Sequence, residues 1–196
     1  MDKKSVSATI LVLFIALTFS VIGVCFSVYV YKDTKIEINN ILIEANEVDV
    51  YSDNDLKNKA STLNLSTMDL GLKPATGEID ADTQIPSSIT DEGTSEGYYS
   101  SLYIPAGVNF KIILTNIKIE TQKNQIEANN ERKNIFISLK DVENSTKSLE
   151  ENTIEIARFS NLTKTQKLTF LIWLGAFAGD ELVGAKISFT LKFEKV

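Results

Sequence analysis

A stretch of 24 residues near the beginning of the chain, Ala8–Tyr31, carries no charged side chain. An α-helix rises about 1.5 Å per residue, so a helix of this length covers the roughly 30 Å hydrocarbon core of a bilayer with room for tilt. Two lysines precede the stretch and two follow it closely, and the rest of the chain is polar, strand-patterned and rich in turn residues. The sequence therefore predicts one membrane helix at residues 8–31, which holds one soluble domain, residues 32–196, at the membrane surface.

The apolar stretch is longer than the 7–15 apolar residues of a cleavable signal peptide, and residues 27–31 offer no small-x-small cleavage site. Val24 precedes the single cysteine, Cys25, where a lipoprotein signal has glycine or alanine. These features predict an uncleaved signal anchor, with cleavage between Phe26 and Tyr31 as the alternative. The two lysines and the α-amino group before the stretch slightly outnumber the two lysines after it, which favours a short cytoplasmic head at residues 1–7 and an extracytoplasmic domain at the cell membrane. Cleavage would instead release the domain to the cell surface or matrix.

The composition is acidic, with a formal net charge of −6 and an isoelectric point near 4.8. Asp2, Lys3 and Lys4 together contribute +1, so the domain after the apolar stretch carries about −7. An acidic domain argues against nucleic acid as a partner and against a polybasic grip on anionic lipid. The predicted membrane contact is therefore the apolar stretch itself.

The residue types also exclude most catalytic chemistry. The chain has no histidine, which removes histidine-based triads, metal ligands and general bases. Cys25 lies inside the apolar stretch, so the soluble part has neither a disulfide nor a thiol nucleophile. The sequence predicts a non-enzymatic protein with no cofactor and no catalytic residue. A carboxylate-only hydrolase is the enzymatic alternative, although its acids would lie on a loop that lacks apolar surroundings to tune their pKa.

Alternation of apolar and polar residues predicts several β-strands. It is strict over residues 108–114, recurs at 135–139 and 154–156, and is clearest at 167–174 and 185–193, which a loop at 175–184 joins. Many short strands without an amphipathic helix pattern predict an all-β fold, an antiparallel β-sandwich. Unpaired strand edges promote aggregation, which favours two packed sheets or a jelly roll over one open sheet. Trp173 lies on the face opposite its apolar neighbours and is predicted to be a buried core or inter-sheet residue.

A first strand is predicted directly after the apolar stretch. Ile36 and Ile38 alternate with polar residues, and Ile41 and Ile43 then shift the parity, which predicts a bulge or short turn at Asn39–Asn40. Such a strand could add to the sheet edge of a neighbouring subunit by β-augmentation, giving a homo-oligomer or fibre. The candidate partner-binding residues of this strand are Lys35, Ile36, Ile38, Ile41 and Ile43.

Residues 73–97 contain acids, Ser, Thr, Pro and Gly, with almost no large apolar residue, and they predict a long exposed acidic loop. Glu78, Asp80 and Asp82 alternate there and are weak candidates for a calcium site, because Ca²⁺ prefers six to eight oxygen ligands. Their spacing fits no EF-hand, and a solvated acidic loop is the simpler interpretation. Three tyrosines follow this loop and are candidates for contact with a partner or a sugar, with packing at a sheet edge as the alternative: Tyr98, Tyr99 and Tyr103.

The last strands carry a family resemblance. The segment Leu168–Phe193 has a strand running into Ile172-Trp173-Leu174, then an acidic loop with Asp180, a glycine turn at Gly184 and an alternating strand that ends in Lys-Phe. This order resembles the closing strands of the TasA/camelysin-like surface proteins of Gram-positive bacteria. An aromatic–Lys–Asp–Thr junction after the apolar segment, Tyr31–Thr34, is also similar to that family's layout. The resemblance implies an exported, jelly-roll-like domain that in several members polymerises into extracellular biofilm-matrix fibres.

Two functional hypotheses follow. The first is a non-enzymatic, membrane-anchored or exported cell-surface β-sandwich that acts as a structural or matrix-fibre subunit. The second is a monomeric, membrane-tethered adhesion or ligand-binding module that uses the region of residues 73–103.

Overall fold

The computed structural model describes residues 14, 16–21, 36–38, 41–63, 75–89 and 97–196. The chain divides into two compact units, residues 1–35 and residues 36–196. In the first unit, residues 14 and 16–21 are helical. Within the described ranges, no helix is both long and apolar enough to cross a membrane. Most of the predicted anchor at residues 8–31, together with Lys35, lies outside those ranges.

In the described part of the second unit, most of the regular structure is β-strand, arranged in two sheets. The five-stranded sheet contains β1 (Glu37–Ile38), β2 (Leu42–Glu44), β4 (Phe110–Glu120), β7 (Ile154–Phe159) and β9 (Lys186–Lys195). The four-stranded sheet contains β3 (Gly97–Ile104), β5 (Ile135–Leu139), β6 (Lys147–Ser148) and β8 (Gln166–Leu174). β9 pairs with β1, β2 and β4, and β7 pairs with the other edge of β4. In the four-stranded sheet the order is β3-β8-β5-β6.

The main core contains the inward-facing side chains of both sheets. Phe170 on β8 and Phe193 on β9 are at most 1% exposed, and both belong to one apolar cluster with Ile112 and Leu114 of β4. Burying each such side chain stabilises the fold by roughly 1.5–3 kcal/mol. The prediction of a β-rich fold with two packed sheets is confirmed.

The prediction of a wholly antiparallel sandwich is wrong for the edge at β9. β1 and β2 both run parallel to β9, so the five-stranded sheet is mixed. The reason is that β1 and β9 lie at opposite ends of the domain sequence, and no hairpin constrains their direction. Ile38 pairs with Ile187 and Leu42 with Thr190, so β1–β2 has one more residue in this interval than β9. This register confirms the predicted parity shift, although Asn39–Asn40 lies outside the described ranges.

A bulge in β4 changes which residues of this strand face the core. Phe110, Ile112 and Leu114 are buried, and burial then resumes at Ile117 and Ile119. The register against β9 shifts between Thr115 and Lys118, where Asn116 adopts a φ of 55°. Asparagine tolerates this left-handed conformation better than most side chains, so the bulge keeps both halves of the strand facing the core.

The polar connection after β4 contains a helix that the apolar pattern did not predict. Helix α1 (Gln125–Asn130) begins after Asn124, whose side chain accepts hydrogen bonds from the backbone N–H groups of Ile126 and Glu127. Only Ala128 of this helix is buried, so it carries no apolar stripe. The helix is therefore stabilised mainly by its N-cap and by the burial of Ala128. One buried residue does not give the repeating apolar pattern by which a helix is predicted from sequence.

The outer face of the five-stranded sheet carries a charged network that sets a pH dependence. Glu194 lies 2.6 Å from the Lys192 ammonium and 2.9 Å from that of Lys111. Hydrogen bonds from these two lysines lower the pKa of Glu194 from 4.5 to about 2. A carboxyl group whose pKa falls on folding stabilises the native state above its unfolded pKa, and this stabilisation is lost as the pH falls from about 4.5 towards about 2.

We expect Glu194→Gln to reduce the loss of stability between pH 4.5 and pH 2. Because the carboxylate is partly solvated, the effect should be small and should shrink in high salt. The measurement is urea unfolding at a series of pH values. Glu143→Gln is the matched control, since it removes one carboxylate from an exposed turn and so reports the change in net charge alone. If the free energy of unfolding fell equally with pH in Glu194→Gln and in the wild type, this network would have no role in the pH dependence.

Candidate functional site

The outer face of the four-stranded sheet is covered by residues 75–89, which we call the flap. Trp173 and Leu171 on β8 are each 2% exposed and form a second apolar cluster with Ala75 and Ile89 of the flap. The predicted burial of Trp173 is therefore confirmed, but its position is outside the inter-sheet core. The flap lies within the stretch predicted as an exposed loop, and most of it is exposed; its buried residues are Ala75, Pro86 and Ile89.

Local hydrogen bonds give the flap a defined shape. The Asp80 carboxylate accepts bonds from the Thr83 hydroxyl at 2.6 Å and the Thr83 backbone N–H at 2.7 Å. These bonds lower the pKa of Asp80 and close a turn. Gly77 has a φ of +93°, and a Cβ added there would collide with the Ser87 hydroxyl, so this position requires glycine. The flap is attached to β8 by the Ala75 N–H, which donates to the Leu174 carbonyl at 2.8 Å.

A pocket of about 490 Å³ opens between the flap and the sheet, and we call it the outer pocket. Volumes of 300–1,000 Å³ are typical of sites for small ligands or for protruding side chains. The lining residues come from the flap, from β5 and the segments flanking it, and from the end of β8 and the loop that follows: Ala75, Gly77, Ile79, Gln84, Pro86, Asn134, Phe136, Thr146, Trp173, Gly175, Ala176 and Phe177.

Two stacked rings lie in the wall of the outer pocket. Phe136 on β5 and Trp173 on β8 are paired across the strands, and their ring centroids are 5.8 Å apart at an interplanar angle of 16°. Gly175 lies against Phe136, because a Cβ at this glycine would come within 2.8 Å of the phenylalanine ring. An aromatic stack packed against neighbouring backbone is a rigid apolar surface.

The loop between β8 and β9, residues 175–185, forms one rim of the pocket. The Glu131 carboxylate accepts hydrogen bonds from the Asn134 side chain and from the Gly179 N–H, each at 2.8 Å, and both bonds lower the pKa of Glu131. The Asn134 side chain also donates to the Phe177 carbonyl at 3.2 Å. This bonding fixes the backbone of the loop, while the Phe177 ring is 90% exposed. Ile79 of the flap, 63% exposed, is the second large apolar side chain among the lining residues that remains open to solvent.

Apolar side chains predominate in the lining of the outer pocket. Among the described residues that line it, none is Asp, Glu, Lys, Arg, Cys or Tyr. The Thr146 hydroxyl, the one side-chain hydroxyl among these described residues, donates to the Thr83 carbonyl of the flap. Apolar contact and a few amide groups are therefore what the pocket offers a ligand.

The calcium candidates are not brought together by the fold. Asp80 uses its carboxylate to close the flap turn, as described above. In the described part of the chain, no group of three or more Cys, Asp or Glu side chains is close enough to hold a metal ion. Glu78 and Asp82 lie on the same exposed flap.

The partner-binding candidates of the first strand lie mostly in the core. Ile36, Ile38 and Ile41 are 3%, 8% and 2% exposed, and Ile43 is half-buried against the same cluster. The Tyr98 hydroxyl donates to the Ile36 carbonyl at 2.9 Å, which ties β3 to the residue that precedes β1.

The three tyrosine candidates do not form one cluster. Tyr98 faces the main core, whereas Tyr99 packs with Trp173 on the outer face, because successive strand residues point to opposite faces. Tyr103 shares the outward parity of Tyr99, and its backbone forms an isolated bridge with Tyr51.

Sequence reasoning missed Phe136 and Phe177 as site residues. A usable signal was the run from Leu168 to Leu174, in which both faces of the strand carry apolar residues. Such a run is typical of a strand covered on both faces, and it indicated that something must cover the outer face of β8. The partner of Trp173 across the strands could not be read from the same run.

Comparisons of this chain with family models, with curated proteins and with solved structures found no match.

Proposed function

We propose that this protein is a non-enzymatic cell-surface β-sandwich of the TasA/camelysin-like kind, membrane-anchored or exported, that serves as a structural or matrix-fibre subunit. The two-sheet domain after a 24-residue apolar stretch supports this proposal, as does the resemblance of the final strands. In its finer form the proposal includes a jelly-roll-like sandwich and a signal anchor at residues 8–31.

The observation that carries the proposal is the edge strand β1–β2. It follows the apolar stretch directly in sequence, and residues 36–41 contribute three buried isoleucines next to β9. A short edge segment with buried apolar side chains is the kind of element that one subunit can place in the sheet of the next.

A reversible disulfide tests the exchange of this strand. Glu44 pairs with Lys192 across the parallel edge, and neighbouring strands lie about 4.7–4.9 Å apart, within the range a disulfide can bridge. Glu44→Cys with Lys192→Cys, in a Cys25→Ser background, would lock β2 to its own β9 when oxidised. We expect fibres or oligomers to form only after reduction.

Three results separate the alternatives. Equal assembly of the oxidised and reduced proteins would exclude strand exchange. Absence of assembly in the Cys25→Ser parent under all conditions would exclude the structural-subunit function itself.

The mass of the mature N-terminus in membrane and culture fractions tests the predicted anchor. An intact N-terminus in the membrane fraction supports the anchor, and cleavage near residues 26–31 supports a released subunit.

The outer pocket favours a second candidate function, a surface-tethered ligand-binding module. Its apolar lining, its volume of about 490 Å³ and the exposed large apolar side chains Ile79 and Phe177 of its lining support binding of a partner group. This candidate retains the sequence-based hypothesis for residues 73–103, with the site placed at the flap. Loss of ligand binding in a folded flap variant would support it.

A further inference from the structure

Electrostatics restricts what the outer pocket can accept. Two of the three parts of the domain that line the pocket, the flap and the loop between β8 and β9, carry acidic residues. The flap carries three carboxylates, Glu78, Asp80 and Asp82, and no lysine or arginine. Residues 175–185 carry two more, Asp180 and Glu181, again without a basic residue. Two of the three parts that line the apolar cavity thus carry negative charges alone.

The carboxylates near the pocket outnumber its basic neighbours. Glu131, which holds the loop between β8 and β9, adds a sixth carboxylate, and its lowered pKa keeps it ionised. Lys133 and Lys147 adjoin lining residues in sequence, Arg132 adjoins Glu131, and the Lys123 ammonium donates to the Asp180 carbonyl at 2.8 Å. Six carboxylates against four basic side chains give the segments around the pocket a net negative charge.

An apolar cavity in a negative field matches one kind of occupant. We infer that the outer pocket binds a peptide segment of another protein that presents a bulky apolar side chain, phenylalanine or leucine, between lysines or arginines. The apolar side chain fills the cavity beside the Phe136–Trp173 stack, between Ile79 and Phe177. The flanking cations face the acidic flap and loop. This inference rests on the second candidate function and names the class of its ligand.

A second copy of this chain is a poorer occupant of the pocket. The chain carries a net charge of −6, so two copies repel each other at long range, and a contact that uses this face on both subunits would bring its carboxylates together. A cationic segment instead gains from complementary charge, which mainly raises the association rate.

The test uses the full chain and four synthetic heptapeptides. The first has one phenylalanine between two pairs of lysines. The second replaces the lysines with serines, the third replaces the phenylalanine with alanine, and the fourth replaces the lysines with glutamates. The fluorescence of Trp173 reports binding, because it is the one tryptophan of the sequence and it lines the pocket. Calorimetry checks the affinities independently.

We expect the lysine-flanked phenylalanine peptide to bind about five-fold or more tightly than the serine-flanked one at low salt. This difference should largely disappear in about 0.5 M salt, where charges are screened beyond roughly 4 Å. The alanine peptide should bind much more weakly, and the glutamate peptide should not bind.

Two double variants separate the apolar and ionic contributions. Ile79→Ala with Phe177→Ala truncates two exposed side chains and should weaken binding of both the lysine-flanked and the serine-flanked phenylalanine peptide. Glu78→Gln with Asp82→Asn keeps the side-chain shapes and should weaken only the lysine-flanked peptide. Glu143→Gln with Glu150→Gln, at two exposed turn positions outside the flap, is the control for loss of two negative charges.

Each contrary outcome has a distinct meaning. If no peptide binds, this inference is wrong, and the ligand-binding module would require a ligand of another chemical class. If the serine- and lysine-flanked peptides bind equally, the module stands and the cationic class of its ligand is wrong. If binding is unchanged by Ile79→Ala with Phe177→Ala, the site lies elsewhere.

Discussion

Replacing Trp173 with alanine is expected to lower the free energy of unfolding by about 3–5 kcal/mol and to release the flap. Substitution of a buried tryptophan removes its transfer free energy and leaves a cavity, and here it also removes the stack with Phe136. Since Ala75 and Ile89 belong to the same small cluster, the flap would lose its main apolar contact. Urea unfolding measures the global effect, and proteolysis after Glu78 measures the exposure of the flap.

Phe170→Ala provides the matched control. This phenylalanine lies on the same strand but faces the main core, and it is fully buried. We expect Phe170→Ala to lower the free energy of unfolding about as much as Trp173→Ala does. Its flap should be cleaved only as fast as the fraction of globally unfolded protein allows. Flap cleavage at the wild-type rate in Trp173→Ala would show that the hydrogen bonds of the flap, and not the tryptophan, hold it in place.

The combined substitution of Ile36, Ile38 and Ile41 by alanine is expected to open the edge of the five-stranded sheet and to leave little or no folded protein. Each buried isoleucine-to-alanine change costs about 2–5 kcal/mol. Three such changes approach the entire stability of a typical domain, about 5–15 kcal/mol, although neighbouring sites need not add linearly. Circular dichroism and urea unfolding of the full chain measure the loss.

Leu42→Ala is the control on the same strand segment. Leu42 is 51% exposed, so its truncation should change the free energy of unfolding by about 0.5 kcal/mol or less. A triple variant that unfolds at the wild-type urea concentration would mean that β1–β2 contributes nothing to the isolated domain. The domain would then be complete without its first strand.

The strand interiors were predictable because alternation is a local signal. The apolar residues of β8, of β9 and of β4 up to Leu114 that face the main core could be identified by their spacing alone. A strand has a period of two, so each run also specifies which side chains share a face. Packing two such apolar faces together then follows from the need to remove them from water.

The candidate site was less predictable because its parts are distant in sequence. The flap residues have too little apolar content to indicate a core element, and only the contact of Ala75 and Ile89 with Trp173 shows what they cover. The stack of Phe136 on Trp173 depends on the pairing of β5 with β8, which sequence periodicity does not specify. Phe177 lines the pocket because Glu131 and Asn134, which are distant in sequence, hold its loop by hydrogen bonds.

The amino-acid sequence by itself determined the strand-rich composition of the domain, the inward faces of its long strands and the absence of histidine chemistry. The tertiary structure decided the parallel pairing of β1 and β2 with β9, the burial of Trp173 on the outer face and the existence of the outer pocket. The physical reason is that side-chain periodicity depends on neighbouring residues, whereas sheet order and pocket shape depend on contacts between residues far apart in the chain.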